Sequence, residues 1–407
     1  MPDAVLTLNA GSSSLKFALY ETGPVLACIA TGAVENIGAA PHLRIHAGGA
    51  IALEHRWPDH APLTHEDLLG TVLEWVEAHL GADRLIACGH RIVHGGSRFS
   101  APTRLTAAVL AGLEALIPLA PLHQPHNLAA VRAVMALRPA LPQIASFDTA
   151  FHHTMPVAAQ RLPLPRHFYD EGVRRYGFHG LSYEYIASRL PGVAPHLARG
   201  RVIVAHLGNG ASLCAMAAGR SVDTSMGFTA LEGLMMGTRT GAMDPGVLLY
   251  LLQSCGFTPE TLSSLLYTQS GLLGVSGISA DVRALLADPR PQAAEALALF
   301  SNTAARHIAG LTASLGGLDG LVFTAGIGEN APAIRAAICA RLGWLGIGLS
   351  PEANAANAPC ISTPRSGVEV RVIPTSEEAM IAAHCLSVLG EGGNANGIET
   401  GRPMAHN

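Results

Sequence analysis

Several common signatures are missing from this sequence of 407 residues. Charged residues make up only 14% of it and the formal net charge is −4, so it has no general basic surface for nucleic acid. Every apolar run is interrupted by Gly, His, Asn or Arg before it reaches about 18 residues, the length a membrane-spanning helix needs. The first residues, MPDA, lack the basic segment and apolar segment of a signal peptide. The sequence therefore predicts a cytoplasmic protein with no membrane or nucleic-acid partner.

Cysteine and histidine patterns for disulfides or zinc are also missing. The seven cysteines are scattered, odd in number and without a CxxC pair, which favours reduced thiols in a reducing compartment. There is no HExxH motif, and the adjacent His152 and His153 are poorly spaced for joint chelation on a strand. A transition-metal site is therefore not favoured.

The chain does have a large apolar fraction and two similar segments, whose similarity we call the internal echo. Its apolar fraction of 49% and its length predict two domains with substantial cores. Residues 5–19 (VLTLNAGSSSLKFAL) can be laid on residues 202–216 (VIVAHLGNGASLCAM), which puts Gly11 on Gly208. Each segment is typical of a strand, a small-residue turn and a second strand. Two hairpins can resemble each other by chance, but the echo favours a duplicated α/β fold with a cleft between its halves.

Hydrophobic periodicity predicts the main helices and strands. Residues 65–80 place six apolar side chains on one helical face: Leu68, Leu69, Val72, Leu73, Val76 and Leu80. Further helices are predicted near 106–117, 126–138, 245–254, 292–315, 331–342 and 377–389, and strands at 85–93, 144–147 and 321–323. Asn127 is a candidate N-cap of the helix at 126–138. The residues from Gly390 onward are rich in Gly and Asn, which is typical of a loose tail.

Three small-residue turns follow apolar strands and could hold phosphate oxygens. They are Asn9–Ser14 with Lys16 just beyond, Gly208–Ser212, and Thr324–Asn330. Backbone N–H groups, hydroxyls and a lysine at such turns suit phosphates, although each turn alone is equally typical of an ordinary hairpin. No GxxxxGK[ST] motif occurs, so these turns are not a Walker A loop.

Arginine, histidine and carboxylate side chains stand in loops flanked by glycine or at strand ends. Arg91 lies in GHRIVHGG, His179 in YGFHG, and Arg239 in GTRTG. Guanidinium groups suit two-point recognition of carboxylate or phosphoryl oxygens. Asp148 ends a predicted strand, and Glu377 follows Ser376, a candidate N-cap of the last helix. Glu377 could serve that helix N-terminus or a Mg²⁺ ion.

These segments together resemble the acetokinase family. The matching stretches occur in the family's order from residue 6 to residue 383: LTLNAGSSSLKF, GHRIVHGG, PLHQPHN, FDTAFH, RRYGFHG, HLGNGAS, SMGFTALEGLMMGTRTGAMDPG, SGLLGVSGISADVR, FTAGIGEN and TSEEAMIA. The resemblance implies acetate kinase activity, which is reversible phosphoryl transfer between ATP and acetate to give acetyl phosphate and ADP. It also implies the duplicated fold of sugar kinases, actin and the Hsp70 ATPase domain, a nucleotide in the interdomain cleft, and a homodimer.

The resemblance further implies a role for individual residues. The implied domains are 1–149, joined by a C-terminal helix at 384–400, and 150–383. Asn9 and Glu377 correspond to the family's Mg²⁺ site, for which Mn²⁺ is the alternative ion. The implied catalytic residues are Arg91, Asp148, His179 and Arg239. The implied substrate-binding residues are Arg91, Val93, Leu122 and His123. The implied nucleotide-binding residues are Lys16, His206, Leu207, Gly208, Asn209, Gly210, Asp281, Val282, Arg283, Gly326, Ile327, Gly328, Glu329 and Asn330.

Departures from the family pattern leave alternatives open. Ala242 replaces a usual carboxylate after Arg239, Ser376 replaces a usual asparagine, and Ala230 stands where proline is common beside the acyl pocket. Val93 is bulky enough to favour acetate, whereas Ala230 could admit a longer acid, so a propionate or butyrate kinase is one alternative. A nucleotide-gated binding protein of the actin or Hsp70 type is the alternative from another class.

Overall fold

The computed structural model describes residues 3–61, 63–80 and 85–390, and it is an α/β structure with two sheets. The strands are β1 (Ala4–Ala10), β2 (Leu15–Glu21), β3 (Ala27–Glu35), β4 (His42–Ala47), β5 (Ala50–Arg56), β6 (Leu85–Ile92), β7 (Thr103–Arg104), β8 (Gln143–Phe147), β9 (Arg201–Leu207), β10 (Ala211–Ala217), β11 (Arg220–Thr224), β12 (Gly320–Thr324) and β13 (Glu369–Val372). The helices are α1 (His65–Leu80), α2 (Ala107–Glu114), α3 (Gln124–Leu137), α4 (Val157–Gln160), α5 (Arg166–Asp170), α6 (Gly180–Val193), α7 (Pro245–Ser254), α8 (Pro259–Thr268), α9 (Gly271–Ser276), α10 (Val282–Ala287), α11 (Pro291–Leu315), α12 (Ala325–Asn330), α13 (Pro332–Ala340), α14 (Pro351–Ala355) and α15 (Glu377–Leu389).

The two sheets repeat one topology. The first has the order β5-β4-β3-β2-β1-β6-β8-β7 and the second has the order β11-β10-β9-β12-β13. In each, an antiparallel hairpin (β1–β2 or β9–β10) is extended by a third antiparallel strand, and two parallel strands follow on the other side. The predicted duplication of the α/β fold is therefore confirmed, and His206 takes in β9 the place that Asn9 takes in β1.

The chain divides into two compact units. Residues up to Phe151 and those from Ser376 onward form the N-terminal unit, and His152–Thr375 form the C-terminal unit. The whole of α15 belongs to the N-terminal unit, whereas the sequence assigned only 384–400 to it; residues 391–400 lie outside the described ones. Gly89 of β6 explains the packing, because a Cβ there would lie 2.4 Å from Ile381 Cγ2 and 2.7 Å from Cys385 Sγ of α15.

Strand alternation decides which side chains of the N-terminal sheet face α15. Leu6, Leu8 and Cys88 point into a core shared with α1 and α3. The alternate positions in β1 and β6 include Asn9 and Arg91, on the face where Gly89 meets α15. In β8, Ser146 lies on that face because its Oγ is 3.0 Å from His384 Nδ1 of α15. Polar side chains of the sheet therefore lie beneath the start of α15, and we call this group the polar edge of the N-terminal unit.

Most predicted elements are found, and two differ. The bounds of α1, α7 and α15 are those predicted, and all six apolar residues of α1 are buried. Asn127 is not an N-cap: α3 begins at Gln124 with His123 in the cap position, and Asn127 is buried inside the helix. The helix expected near Ala331 is preceded by another, because the glycine-rich segment 325–330 is itself α12.

None of the helices in the described part of the chain combines the length and the apolar character that crossing a membrane demands.

Buried histidines make the stability of the fold depend on pH. His90, His94 and His152 are almost wholly buried, and burial lowers the pKa of each from 6.5 to about 4. Above pH 6.5 neither the folded nor the unfolded state protonates them. Below it the unfolded chain binds protons that the folded chain does not, so stability falls as pH falls towards 4, by about 1.4 kcal/mol per pH unit for each histidine.

Urea unfolding between pH 7 and pH 4 measures this effect. The midpoint is expected to fall steeply below pH 6.5, and less steeply in His90→Gln, which loses one titrating group. The exposed His55 provides the matched control, since His55→Gln should follow the parent curve. A midpoint independent of pH over this range would contradict the expectation.

Candidate active site

Arg91 is the centre of the polar edge of the N-terminal unit. Its Nε lies 3.0 Å from Asp148 Oδ1, and its Nη2 lies 2.6 Å from Asp148 Oδ2. Its Nη1 lies 3.4 Å from Asn9 Oδ1 and 3.5 Å from Glu377 Oε2. We call these four residues the Arg91 cluster. The structure thus brings together both predicted magnesium ligands and two predicted catalytic residues.

Local structure fixes each member of the Arg91 cluster. Asp148 follows β8 directly, and its backbone N–H donates to the carbonyl of Ile92 at 3.1 Å. Glu377 is the first residue of α15, whose N-cap Ser376 accepts from the N–H of Ala379 at 3.2 Å. The predicted capping role of Ser376 is confirmed. Asn9 lies near the end of β1, opposite Lys16 of β2.

Carboxylates control the charge of this edge. Burial lowers the pKa of Arg91, but Asp148 and then Glu377 outweigh burial, and the net shift is upward. Arg91 therefore remains a cation. Burial, followed by repulsion from Glu377, raises the pKa of the Glu378 carboxyl, although Lys16 and Arg91 oppose this. Even with Glu378 neutral, the Arg91 cluster has two carboxylates for one guanidinium, which suits a further cation.

The donor atoms of this edge fit Mg²⁺. The amide oxygen of Asn9 and a carboxylate oxygen of Glu377 both lie within 3.5 Å of one Arg91 nitrogen. Mg²⁺ prefers oxygen ligands, keeps several waters and is commonly bound by one or two protein groups together with substrate phosphates. Among the described residues, no group of three or more His, Cys, Asp or Glu side chains is placed to hold a metal. A site with two protein oxygen ligands is compatible with Mg²⁺ but not with a structural zinc site, which takes four protein ligands.

The predicted acyl-binding residues have different environments. Val93 is buried just beyond β6, and its N–H donates to Asn127 Oδ1 at 3.0 Å. The Asn127 amide also donates to the carbonyl of Ala10 at 2.6 Å. Leu122 is 49% exposed and His123 is half-buried at the start of α3. Asn127 thus fixes the backbone of Val93 relative to β1, a role that the sequence did not suggest.

A second cluster lies within the C-terminal unit, around the turn between β9 and β10. A Cβ on Gly210 would lie 3.3 Å from His179 Nε2 and 3.8 Å from Arg239 Nη1. The rings of His179 and His206 stack with their centroids 4.2 Å apart. Arg239 also donates to the carbonyl of Ala230 at 3.1 Å. We call His179, His206, Gly210 and Arg239 the His179 cluster.

The backbone of His179 is in the left-handed region, with φ 60° and ψ 24°, immediately before α6. Left-handed backbone is costly for a residue that is not glycine, and such positions concentrate at functional sites. His152 supports this turn, because its Nε2 lies 3.1 Å from the carbonyl of Phe178. Gly177 leaves room for the His152 ring, which a Cβ would approach to 2.6 Å.

The predicted nucleotide-binding segments adjoin one another in the C-terminal unit. Gly237 allows close approach to Asn209, because a Cβ on Gly237 would lie 2.1 Å from Asn209 Oδ1 and 3.4 Å from the carbonyl of Ala280. Asp281 caps α10 by accepting from the N–H of Arg283 at 2.8 Å, and the two side chains form an exposed ion pair. Arg283 lowers the pKa of the Asp281 carboxyl.

The third segment, 326–330, is part of α12. Ala325 begins this helix with φ 65°, and its N–H donates to Glu329 Oε1 at 2.7 Å. The same oxygen accepts from the N–H of Thr375 at 3.2 Å. Burial raises the pKa of the Glu329 carboxyl. Since a Cβ on Gly328 would lie 3.5 Å from the carbonyl of Ala205, α12 packs directly on β9.

Arg335 supports α12, a role that the sequence did not predict. This side chain is wholly buried, and its Nη1 donates to the carbonyls of Gly328 and Glu329, both at 2.9 Å. Its other nitrogens donate to Asn354 and to Asn357 Oδ1. A buried arginine that binds carbonyl and amide oxygens fixes the backbone of the segment predicted to hold nucleotide. No local pattern distinguishes it from a surface arginine.

Known proteins resemble this chain over nearly its whole length. A family model described as "Acetokinase family" matches residues 4–383. An acetate kinase of Rhodopseudomonas palustris is 52% identical over 393 residues, which cover 94% of this chain and 98% of the relative. A crystal structure of a propionate kinase from Francisella tularensis has a TM-score of 0.88 and 36% identity, and covers 94% of this chain and 98% of the other. That of Porphyromonas gingivalis acetate kinase has a TM-score of 0.86 and 38% identity, and covers 95% and 100%.

Proposed function

Since the chain belongs to the acetokinase family and acts as an acetate kinase, we propose that it transfers the phosphoryl group directly, in line, between ATP and the carboxylate of acetate. The arrangement around Arg91 carries this proposal. Arg91 keeps its charge although Asp148 and Glu377 both contact it, and a charged guanidinium is well suited to bind a carboxylate. Reversal of the same transfer gives ATP and acetate from acetyl phosphate and ADP.

The acetate nucleophile needs no general base. A carboxylic acid with a pKa near 4–5 is almost fully ionised at pH 7, so the barrier lies in bringing two anions together. We assign Arg91 to the acetate carboxylate. Asp148 accepts from Arg91 through both of its oxygens, which supports a role in orienting that arginine rather than in removing a proton.

The His179 cluster suits stabilisation of the transferring phosphoryl group. Its transition state carries charge on three equatorial oxygens, and preorganised donors stabilise such charge best. We assign His179 and Arg239 to those oxygens. The segments 206–210, 281–283 and 326–330, which lie around this cluster, are assigned to the nucleotide, with Lys16 of the N-terminal unit as a further phosphate contact.

We assign Asn9 and Glu377 to Mg²⁺, with Mn²⁺ as the alternative ion. When bound, the ion would neutralise charge on the departing phosphate. Arg91 lies beside both ligands, so its guanidinium also limits how the Asn9 and Glu377 side chains can turn.

Hydroxamate trapping tests the assignment. With ATP, Mg²⁺ and hydroxylamine, the protein is expected to give acyl hydroxamate from acetate well above that from propionate or butyrate. Omitting the acid should abolish product and leave little ATP hydrolysis. If ATP binds but none of the three acids gives product, the proposal of phosphoryl transfer to a carboxylate is wrong, whereas the fold assignment stands.

Propionate is the second candidate acceptor, because a structural relative is named a propionate kinase. One methylene is worth about 1–3 kcal/mol of discrimination, roughly 10- to 200-fold in kcat/KM. Replacing the buried Val93 by alanine is expected to raise kcat/KM for propionate relative to acetate by about tenfold. An unchanged ratio would remove Val93 from the acyl site. Val157→Ala, at an exposed valine of α4, is the control.

We also propose that the protein is a homodimer, and α7 supports this. None of the ten residues of α7 is buried within the described chain, although the helix is strongly apolar. Leu249 and Tyr250 are 55% and 60% exposed, and Val247 and Leu252 are also exposed. Exposed apolar side chains in this number on one helix are typical of a protein interface.

Sedimentation velocity tests the dimer. The parent is expected to sediment at twice the chain mass of 42.2 kDa, and Leu249→Glu/Tyr250→Glu as a monomer. Val157→Glu introduces a negative charge at an exposed apolar site on another helix, α4, and should leave the mass unchanged. A dimer that survives the α7 changes would place the interface elsewhere.

The seven cysteines, all of which are free thiols, support the proposal that the enzyme works in the cytoplasm.

A further inference from the structure

Two histidines of the C-terminal unit are held in matching ways. The rings of His179 and His206 stack with 19° between their planes. His179 Nδ1 lies 2.8 Å from Ser212 Oγ, and His206 Nδ1 lies 2.8 Å from Ser182 Oγ. Each imidazole is therefore held at Nδ1 by a serine hydroxyl, and all of these atoms belong to one compact unit.

Each serine is in turn held by a second hydroxyl. Ser212 Oγ lies 2.5 Å from the hydroxyl of Tyr183, and both residues are completely buried. A phenol is a stronger acid than an aliphatic hydroxyl, so Tyr183 donates and Ser212 accepts. The single proton of Ser212 is then directed at His179 Nδ1. Ser182 Oγ lies 2.9 Å from Thr375 Oγ1, but both are aliphatic hydroxyls, so acidity does not decide which of them donates.

The opposite edge of each ring faces the glycine turn. A Cβ on Gly210 would lie 3.3 Å from His179 Nε2, and a Cβ on Gly208 would lie 3.9 Å from His206 Nε2. If Nδ1 of His179 accepts from Ser212, the ring proton of neutral His179 is on Nε2. That proton then points towards the Gly210 turn and Arg239, where the proposed phosphoryl oxygens would lie.

We propose that Ser212 and Tyr183 are positioning residues that fix His179 in the tautomer protonated at Nε2. This inference rests on the proposed role of His179 as a donor to the transferring phosphoryl group. We call the hydrogen-bonded series Tyr183–Ser212–His179 the relay. Without it, the proton of His179 could move to Nδ1 and leave a lone pair facing the phosphate. At metal sites, removing the outer-shell hydrogen-bond partner of a histidine changes activity by about 10- to 100-fold, and we expect an effect of that size here.

Steady-state kinetics and NMR of Ser212→Ala and Tyr183→Phe test the proposal. Both are expected to lower kcat about 10- to 100-fold while KM for ATP and for acetate changes less than about threefold. Ser212→Thr, which keeps the hydroxyl, should recover most of the loss. Long-range ¹H–¹⁵N spectra, with His179 identified by its absence from His179→Gln, should show protonation at Nε2 in the parent and a shift towards Nδ1 in Ser212→Ala.

Other outcomes separate the inference from the proposed function. If His179→Ala loses turnover but Ser212→Ala keeps both the parent kcat and the parent tautomer, the relay is wrong and the role of His179 stands. If His179→Ala keeps turnover, the role itself is wrong. Should Ser212→Ala be poorly folded, Tyr183→Phe gives the same test through the other end of the relay.

Discussion

Arg91→Ala is expected to lower kcat by about 10²- to 10⁵-fold, the range seen when a cation that stabilises a transferring group is removed. Arg91 contacts three residues of the N-terminal unit at once: Asn9, Asp148 and Glu377. Its loss removes the proposed carboxylate-binding group and also releases the proposed magnesium ligands. Steady-state assay with saturating ATP and acetate measures the effect.

Stability must be separated from chemistry in this variant. Asp148 is only 1% exposed, and breaking a buried ion pair by removing one partner costs about 3–5 kcal/mol. Arg91→Ala/Asp148→Asn also removes the charge of Asp148 and should regain much of the urea midpoint while kcat stays low. Arg132→Ala, at an exposed arginine paired with Glu114, should behave as the parent. Recovery of kcat in the double variant would mean that Arg91 serves only to neutralise Asp148.

Arg239→Ala is expected to reduce kcat by a similar factor, about 10²- to 10⁵-fold. Within the C-terminal unit, this half-buried side chain donates a hydrogen bond to the carbonyl of Ala230 and contacts the sulfur of Met236. Its guanidinium lies at the Gly210 turn beside His179, where the proposed phosphoryl oxygens would be stabilised.

Lysine tests whether geometry or charge matters at this position. Arg239→Lys keeps the charge but loses the planar fork, so it should recover only part of the turnover. Arg220→Ala changes an exposed arginine of β11 and is the matched control. A near-normal kcat in Arg239→Ala, with the thermal midpoint unchanged, would remove Arg239 from the proposed mechanism.

The sequence predicted elements best where hydrophobic periodicity alone decides them. The bounds of α1 follow from six apolar positions on one face, all of which are buried. The predicted start of α3 was wrong because Pro125 lies in the first turn of the helix. Asn127, the expected cap, instead uses its amide group to bond the N–H of Val93 and the carbonyl of Ala10. The helix α12 was missed because its glycines favour a turn, whereas a tertiary environment and the Glu329 side chain stabilise it.

The candidate site was predicted in its parts but not in its contacts. Strand alternation places Asn9 and Arg91 on alternate positions from the core residues, which is readable from sequence. Pairing of Arg91 with Asp148 and Glu377 depends on which strands are neighbours and on where α15 packs. Arg335 could not be predicted at all, because burial of an arginine without a carboxylate is set by distant carbonyls.

The packing of α15 on Gly89 affects the order in which the protein can mature during synthesis. The ribosome releases β1, β6 and β8 long before α15, whereas the C-terminal unit is continuous from His152 to Thr375. The second unit to be translated is therefore the first to have its complete sequence, the reverse of the usual N-terminal-first order. Until residues 376–389 emerge, α15 does not cover the face of the sheet around Gly89. A nascent chain stopped at this point would be a natural substrate for chaperones.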